Sequence, residues 1–237
     1  MASAEKRVEA FSGQLQAALG DNLVSIVLFG SAARGQHRKG KSDVNLLIIL
    51  KDAGSGTIAR AAEGIAKWAA SGEPAPLVFS EAEWRASADV FPLEIEDMRF
   101  AHQVIWGTDP LGWVATTRED VRRQLEREVR GKLLRLRTEY AAAATDGKAL
   151  GELVENSLGT FLVLFRATVR LASGEAPPEA EALVQETALR AGLDSTAFEW
   201  ALSRRAGRKV PALRSFDPTA SRYLDQIEKL ARFVNSL

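Results

Sequence analysis

The first half of the chain alternates short apolar runs with amphipathic stretches, whereas the second half carries helical spacing alone. Residues 23–29 and 44–50 are apolar, β-branched runs bounded by turn residues, and this pattern predicts two strands that are buried on both faces. Shorter runs at residues 77–79 and 104–106 predict two further strands. The amphipathic stretches before and between these runs predict helices that pack on the sheet.

From Thr116 onward the pattern predicts helices only. A long helix with one apolar stripe follows Thr117, and the next helix, at residues 148–172, is apolar on nearly every side, which is typical of the centre of a bundle. Three more helices are predicted at residues 178–191, 195–205 and 218–236. We therefore predict an α+β domain with a small mixed sheet at residues 1–114 and an all-α helical bundle at residues 115–237.

Polar residues that could bind a ligand or take part in catalysis lie between the first two predicted strands. Gly30 lets the backbone turn tightly at the end of the first strand, and the Ser31 hydroxyl and nearby free amides suit phosphate oxygens. Asp43 and Asn45 open the second strand, and side chains two residues apart on a strand share a face. We expect these side chains to project together toward the Gly30 turn.

The segments FGSAARG and SDVNLLIIL resemble the nucleotidyltransferase superfamily that includes DNA polymerase beta, kanamycin nucleotidyltransferase and the minimal nucleotidyltransferases. The resemblance implies a triphosphate-holding turn at Gly30 and Ser31 and a metal-binding aspartate at Asp43. Asn45 stands where the family has its second aspartate, and we count it with Asp43 as a catalytic and metal-binding candidate. The implied ligands are an NTP and Mg²⁺ or Mn²⁺, and the implied reaction transfers a nucleoside monophosphate to a hydroxyl.

The sequence departs from the family pattern at its acids. Asn45 keeps a carbonyl oxygen but lacks the charge of a carboxylate, which weakens Mg²⁺ binding. The third predicted strand contains no acid, and Glu81 and Glu83 follow it. These two glutamates could supply the third carboxylate, but Ser80 with Glu83 is also a capping-box pattern, and we favour that interpretation.

Other charged groups have two interpretations. Arg34 belongs to a basic connection at residues 34–41, which either attracts a polyphosphate, making Arg34 a nucleotide-binding candidate, or is a solvated loop. The arginines after residue 117 alternate with acids at salt-bridge spacing, which favours a self-paired helix over a nucleic-acid surface. Acids at residues 94–97 and at Glu152 and Glu155 could be ligands, but exposed helix starts explain them more simply.

Composition narrows the function. Lys plus Arg equals Asp plus Glu at 31 each, so no net charge favours long nucleic acids as partners. The chain contains no cysteine, which excludes thiolate catalysis and cysteine zinc sites. No apolar run reaches the length of a signal peptide core or a membrane span, and we expect a cytoplasmic protein without a membrane partner.

Two functions of different classes remain. The first is an NTP-binding nucleotidyltransferase whose acceptor is a small molecule or a protein. The second is a catalytically degenerate member, a pseudoenzyme that serves as a nucleotide-binding or protein-interaction regulatory module. An antitoxin-like role is less favoured because a helical domain follows in the same chain. The sequence leaves the acceptor, the base preference and a homodimer open.

Overall fold

The computed structural model describes residues 4–30, 32–33 and 43–237. The chain divides into two compact units, Met1–Thr117 and Arg118–Leu237. The first combines a mixed sheet with helices and the second consists of helices, so the predicted fold class is confirmed. Within the described ranges, no helix has the length and apolar character needed to cross a membrane.

The N-terminal unit contains four strands and four helices among the described residues, with two short 3-10 turns. In chain order these are α1 (Ala4–Leu19), a 3-10 turn (Gly20–Asn22), β1 (Leu23–Phe29), β2 (Asn45–Leu50), α2 (Ser55–Ala70), β3 (Leu77–Ser80), α3 (Glu81–Arg85), α4 (Pro92–Phe100), β4 (His102–Gly107) and a 3-10 turn (Pro110–Trp113).

The strands form a sheet in the order β3-β2-β1-β4. β1 pairs antiparallel with β2 and with β4, whereas β2 pairs in parallel with β3. β4 begins earlier than the predicted run at residues 104–106, because His102 and Gln103 pair with the end of β1 although neither is apolar. The two strands that carry the candidate site are therefore the inner pair of the sheet.

Both faces of the sheet are covered, as predicted. On one face α1 and α2 pack over Ile26, Leu46 and Ile48, and on the other face Trp84 and Met98 pack over the alternate residues of β1 and β2. Residues 46–50 are all buried. Burying a side chain of this kind contributes about 1.5–3 kcal/mol, so the core fixes the register of β2 firmly.

A capping box turns the chain from β3 into α3. The Ser80 hydroxyl accepts a hydrogen bond from the Glu83 backbone N–H, and a Glu83 carboxylate oxygen accepts one from the Ser80 N–H at 2.8 Å. The Ser80 N–H bond, followed by the bond from its hydroxyl, lowers the pKa of Glu83. The capping interpretation of Glu83 is confirmed.

The C-terminal unit is a set of helices around an aromatic core. Their bounds are α5 (Arg118–Ala143), α6 (Gly147–Ser173), α7 (Ala180–Ala191), α8 (Thr196–Arg205) and α9 (Pro218–Asn235). Tyr223 and Phe198 are each 1% exposed, and their ring centroids lie 5.1 Å apart. The Ser157 hydroxyl donates a hydrogen bond to the Tyr223 oxygen, which satisfies the buried phenol.

Several arginines on α5 pair with acids of the same helix. Glu119 accepts hydrogen bonds from Arg122 and Arg123, and Glu126 accepts them from Arg122 and Arg130. These pairs lie three or four residues apart, where side chains meet on a helix. The self-paired interpretation of this helix is confirmed.

Candidate functional site

The Gly30 turn closes β1 in a conformation that favours glycine. Gly30 has φ +79°, and its N–H donates to the carbonyl of Ala101 at 3.0 Å. A Cβ added at this position would lie 3.3 Å from the Asn45 Nδ2. The absence of a side chain at Gly30 therefore leaves a gap directly beside the Asn45 amide.

The start of β2 places Asn45 across from the end of β1. Asn45 pairs with Phe29 in the antiparallel ladder. Val44 and Leu46 pack into the core beneath α1 and α2, so the alternation of the strand directs Asn45 toward the opposite face. β2 begins at Asn45, so Asp43, which was predicted to open this strand, lies before it. Asp43 is exposed and Asn45 is half-buried. The structure thus places Asn45 beside Gly30, and the joint projection of Asp43 toward this turn stays a prediction.

Two predicted site residues, Ser31 and Arg34, lie outside the described residues, as does the whole basic connection at residues 34–41. The predicted contact of the Ser31 hydroxyl with Asp43 and Asn45 stays a prediction.

A carboxylate that no sequence pattern marked lies behind the start of β2. Glu73 lies in the connection between α2 and β3, and its Oε2 accepts a hydrogen bond from the Val44 N–H at 2.9 Å. Its other oxygen accepts a hydrogen bond from Arg7 of α1. The Glu73 side chain is only 9% exposed. Both of its oxygens are engaged, so we do not assign Glu73 as a metal ligand.

His102 continues the row that Asn45 and Phe29 form across the sheet, because it pairs with Phe29 from the other side. Its Nδ1 lies 3.1 Å from the Met98 carbonyl oxygen, and its Nε2 lies 3.2 Å from a carboxylate oxygen of Asp109. Both partners are hydrogen-bond acceptors, so these contacts orient the imidazole ring. Neither its spacing nor its local pattern marked this histidine in the sequence.

The remaining acids have local partners. Glu96 accepts a hydrogen bond from the Thr116 hydroxyl, and Glu155 accepts one from Arg204 at 2.7 Å. Glu152 is exposed and lies 3.9 Å from Lys148. Across the described ranges, no group of three His, Cys, Asp or Glu side chains gathers in a metal-binding cluster. The third carboxylate of the family pattern has no counterpart on β3, whose residues carry no acid.

The donor set at the start of β2 decides which metal centre it fits. Asp43 offers one carboxylate and Asn45 one amide oxygen. Mg²⁺ is commonly held by one or two protein oxygens together with substrate phosphates and waters. The two residues therefore fit a single Mg²⁺ that arrives with a nucleotide, and they do not fit a two-ion centre.

Comparisons with known proteins point to one fold. Residues 9–97 match the family model described as a nucleotidyltransferase domain. The structure is similar to the crystal structure of spectinomycin adenyltransferase AAD(9) from Enterococcus faecialis with ATP and spectinomycin, with a TM-score of 0.61 and 13% sequence identity over 98% of this chain and 100% of that chain. At this identity the likeness shows the fold alone.

A second solved structure, a toxin–antitoxin with AMP-PNP, is 24% identical over 45% of this chain and 76% of that chain. Its TM-score of 0.30 is too low to bear on fold or function. No curated protein matches the sequence.

Proposed function

We propose that the protein binds an NTP at the Gly30 turn and transfers its nucleoside monophosphate to a hydroxyl group. Residues 9–97 match the nucleotidyltransferase domain model, which supports this reaction. The observation that carries this proposal is the meeting of Gly30 and Asn45. A left-handed glycine that leaves a gap beside a polar strand end gives phosphate oxygens close access to the backbone.

Each residue has a separate part in the proposed reaction. The Gly30 turn holds the triphosphate, and Asp43 with Asn45 would hold Mg²⁺. That ion would neutralise the phosphate charges. The acceptor oxygen bonds to the α-phosphorus, the bond to the β-phosphate breaks, pyrophosphate leaves, and the hydroxyl proton passes to solvent. The chain contributes mainly by positioning the reactants and offsetting charge.

We further propose ATP as the nucleotide and a small hydroxyl-bearing molecule as the acceptor. The structural neighbour contains ATP and spectinomycin, and its fold matches this chain over nearly its whole length. The balanced net charge of the chain also disfavours long polynucleotide acceptors.

The reaction is tested by incubating the protein with each NTP, Mg²⁺ or Mn²⁺, and a panel of small polyhydroxylated acceptors. We expect pyrophosphate release that depends on ATP and on an acceptor, together with a nucleotidylated product in the mass spectrum. Asp43→Asn should abolish release, whereas Asp89→Asn, an exposed acid elsewhere in the N-terminal unit, should not. Equal release by the Asp43→Asn variant would overturn the assignment of Asp43.

The donor set also favours a second candidate, a nucleotide-binding regulatory module. Asn45 lacks the charge that a second aspartate would bring, and the described part of β2 and β3 adds no acid. Backbone amides at the turn bind phosphate without a metal, so binding could outlast catalysis. Isothermal titration with ATP separates the candidates: binding that barely depends on Mg²⁺, without pyrophosphate release from any acceptor, favours the module.

A further inference from the structure

The backbone amide of Val44, the residue just before β2, is held from outside the sheet. Val44 precedes the ladder, which begins with the pair between Phe29 and Asn45. Pairing of β2 with β3 begins only at Leu47. Val44 has 0% exposure, and a buried N–H without an acceptor is costly. The Glu73 carboxylate supplies that acceptor at 2.9 Å.

The charge on Glu73 is balanced by a third element. The Glu73 side chain is 9% exposed, and its second oxygen accepts a hydrogen bond from Arg7 of α1, which is 29% exposed. A carboxylate in so covered a position is costly without a cationic partner. Arg7 therefore supplies the opposite charge beside Glu73, and a charged carboxylate makes a stronger hydrogen bond to a backbone amide than a neutral acceptor does.

We propose that Glu73 is a positioning residue that fixes Asp43 and Asn45 relative to the Gly30 turn, with Arg7 as its counterion. The inference rests on the proposed nucleotide site. Val44 lies between Asp43 and Asn45, so the position of its amide sets the backbone position of both site residues. The gap between Gly30 and the Asn45 amide is narrow enough that a shift of the strand start would close or widen it.

Two variants separate positioning from simple ion pairing. Glu73→Gln keeps an oxygen that accepts the Val44 N–H but removes the charge. The double variant Arg7→Glu with Glu73→Arg restores an ion pair of reversed polarity but leaves no acceptor at position 73, because arginine only donates. If the pair only joins α1 to the α2–β3 connection, the double variant should retain that role. If Glu73 acts on the Val44 amide, the double variant should lose that role.

Two readouts are measured on each variant: hydrogen exchange of the Val44 amide by NMR and the ATP dissociation constant by titration. We expect the Arg7→Glu, Glu73→Arg double variant to lose protection from hydrogen exchange at Val44. It should also bind ATP about tenfold more weakly, as for the loss of a hydrogen bond to a charged group. Glu73→Gln should retain most of the protection and most of the affinity. Circular dichroism checks that each variant is folded.

The matched control is Glu155→Gln, which breaks the ion pair with Arg204 in the C-terminal unit and should change neither readout. Full Val44 protection and full ATP affinity in the double variant would overturn the inference. Equal losses of protection and affinity in Glu73→Gln and in the double variant would overturn it as well. If the wild type binds no ATP, the proposed function fails, yet Val44 exchange still decides the positioning role. Loss of Val44 protection in the double variant alone supports the positioning role, and equal protection in all variants refutes that role.

Discussion

Two carboxylate–arginine pairs of similar chemistry serve different purposes in the two units. In the C-terminal unit, Glu155 pairs with Arg204 at 2.7 Å, and both side chains are about one-third exposed. Arg204 also lies against Gly151 and 5.5 Å from the Trp200 ring centroid, so the pair joins α6 to α8. In the N-terminal unit, Glu73 pairs with Arg7 but also binds a strand amide.

The difference shows that the role of an ion pair depends on the third group it contacts. Where the third group is another side chain, the pair adds to helix packing. Where it is the backbone beside site residues, the pair sets the geometry of a site. We therefore expect substitutions in the C-terminal unit to change stability, and substitutions at the strand ends of the N-terminal unit to change nucleotide binding more than stability.

The largest expected effect is on stability and comes from the aromatic core of the C-terminal unit. Phe198 is buried, with ring centroids 5.1 Å from both Phe165 and Tyr223. Phe198→Ala should lower the free energy of unfolding by about 3–5 kcal/mol, because it removes apolar contacts and leaves a cavity. Urea denaturation measures this loss. ATP affinity at a temperature where the variant is folded should stay unchanged. A fall in ATP affinity would contradict the expectation that substitutions in the C-terminal unit change stability alone.

Next in size is a matched pair of glycine substitutions. Gly30 and Gly192 have φ +79° and +63°, and a Cβ at Gly192 would meet no atom within 4 Å. Alanine at either position should cost about 1–2 kcal/mol of stability, the penalty of left-handed backbone. Only Gly30→Ala should also weaken ATP binding, because its Cβ enters the gap beside Asn45. Equal ATP affinity in both variants would show that the turn does not contact the nucleotide.

A smaller effect tests the metal donor set at the start of β2. Asn45→Asp restores a second carboxylate beside Asp43, which should strengthen divalent-ion binding and lower stability without metal through charge repulsion. Mn²⁺ at ten times its dissociation constant should then stabilise the variant by about 1.4 kcal/mol. Thermal melts with and without Mn²⁺ measure the gain.

The added change Asp43→Ala is the control for this experiment and should remove the gain. Equal stabilisation of the wild type by Mn²⁺ would mean that asparagine is already an adequate ligand.

The smallest effect is a pH dependence from α5. Hydrogen bonds from Arg122 and then Arg123 lower the pKa of Glu119 from 4.5 to about 2. Because the pKa is lower in the folded state, the stabilisation is present above pH 4.5 and is lost as the pH falls toward about 2. The urea midpoint should therefore decline over this window, and Glu119→Gln should flatten that decline. The group is exposed, so solvent screening keeps the change small.

Local signals in the sequence predicted the elements well. Apolar periodicity and cap residues predict the four strands, the capping box at Ser80 and the helices of the second unit. Each of these signals is contained within a few neighbouring residues. The resemblance carried by FGSAARG and SDVNLLIIL is confirmed by the family match over residues 9–97. The contact between Gly30 and Asn45 also has a sequence signal, because both residues stand at the ends of adjacent predicted strands.

The contacts that link distant segments could not be predicted in this way. Glu73 and Val44 are 29 positions apart, and Arg7 lies farther still from Glu73. Glu73 stands in a loop with no periodicity, where an acid is ordinarily solvated. His102 gave no signal for the same reason, because its place beside Phe29 depends on how β4 returns to the sheet. Only the folded chain shows that Glu73 accepts a hydrogen bond from Val44 and that His102 pairs with Phe29.

The shortness of β3 has a consequence for how the protein behaves at high concentration. β3 forms one edge of the sheet, spans only Leu77–Ser80 and passes at once into α3 through its cap. An edge strand exposes unpaired backbone groups that can recruit a strand from another molecule, and very short edges limit such pairing. The edge beside β2 therefore offers little length for intermolecular strand addition, which protects the strand that carries Asn45 from aggregation.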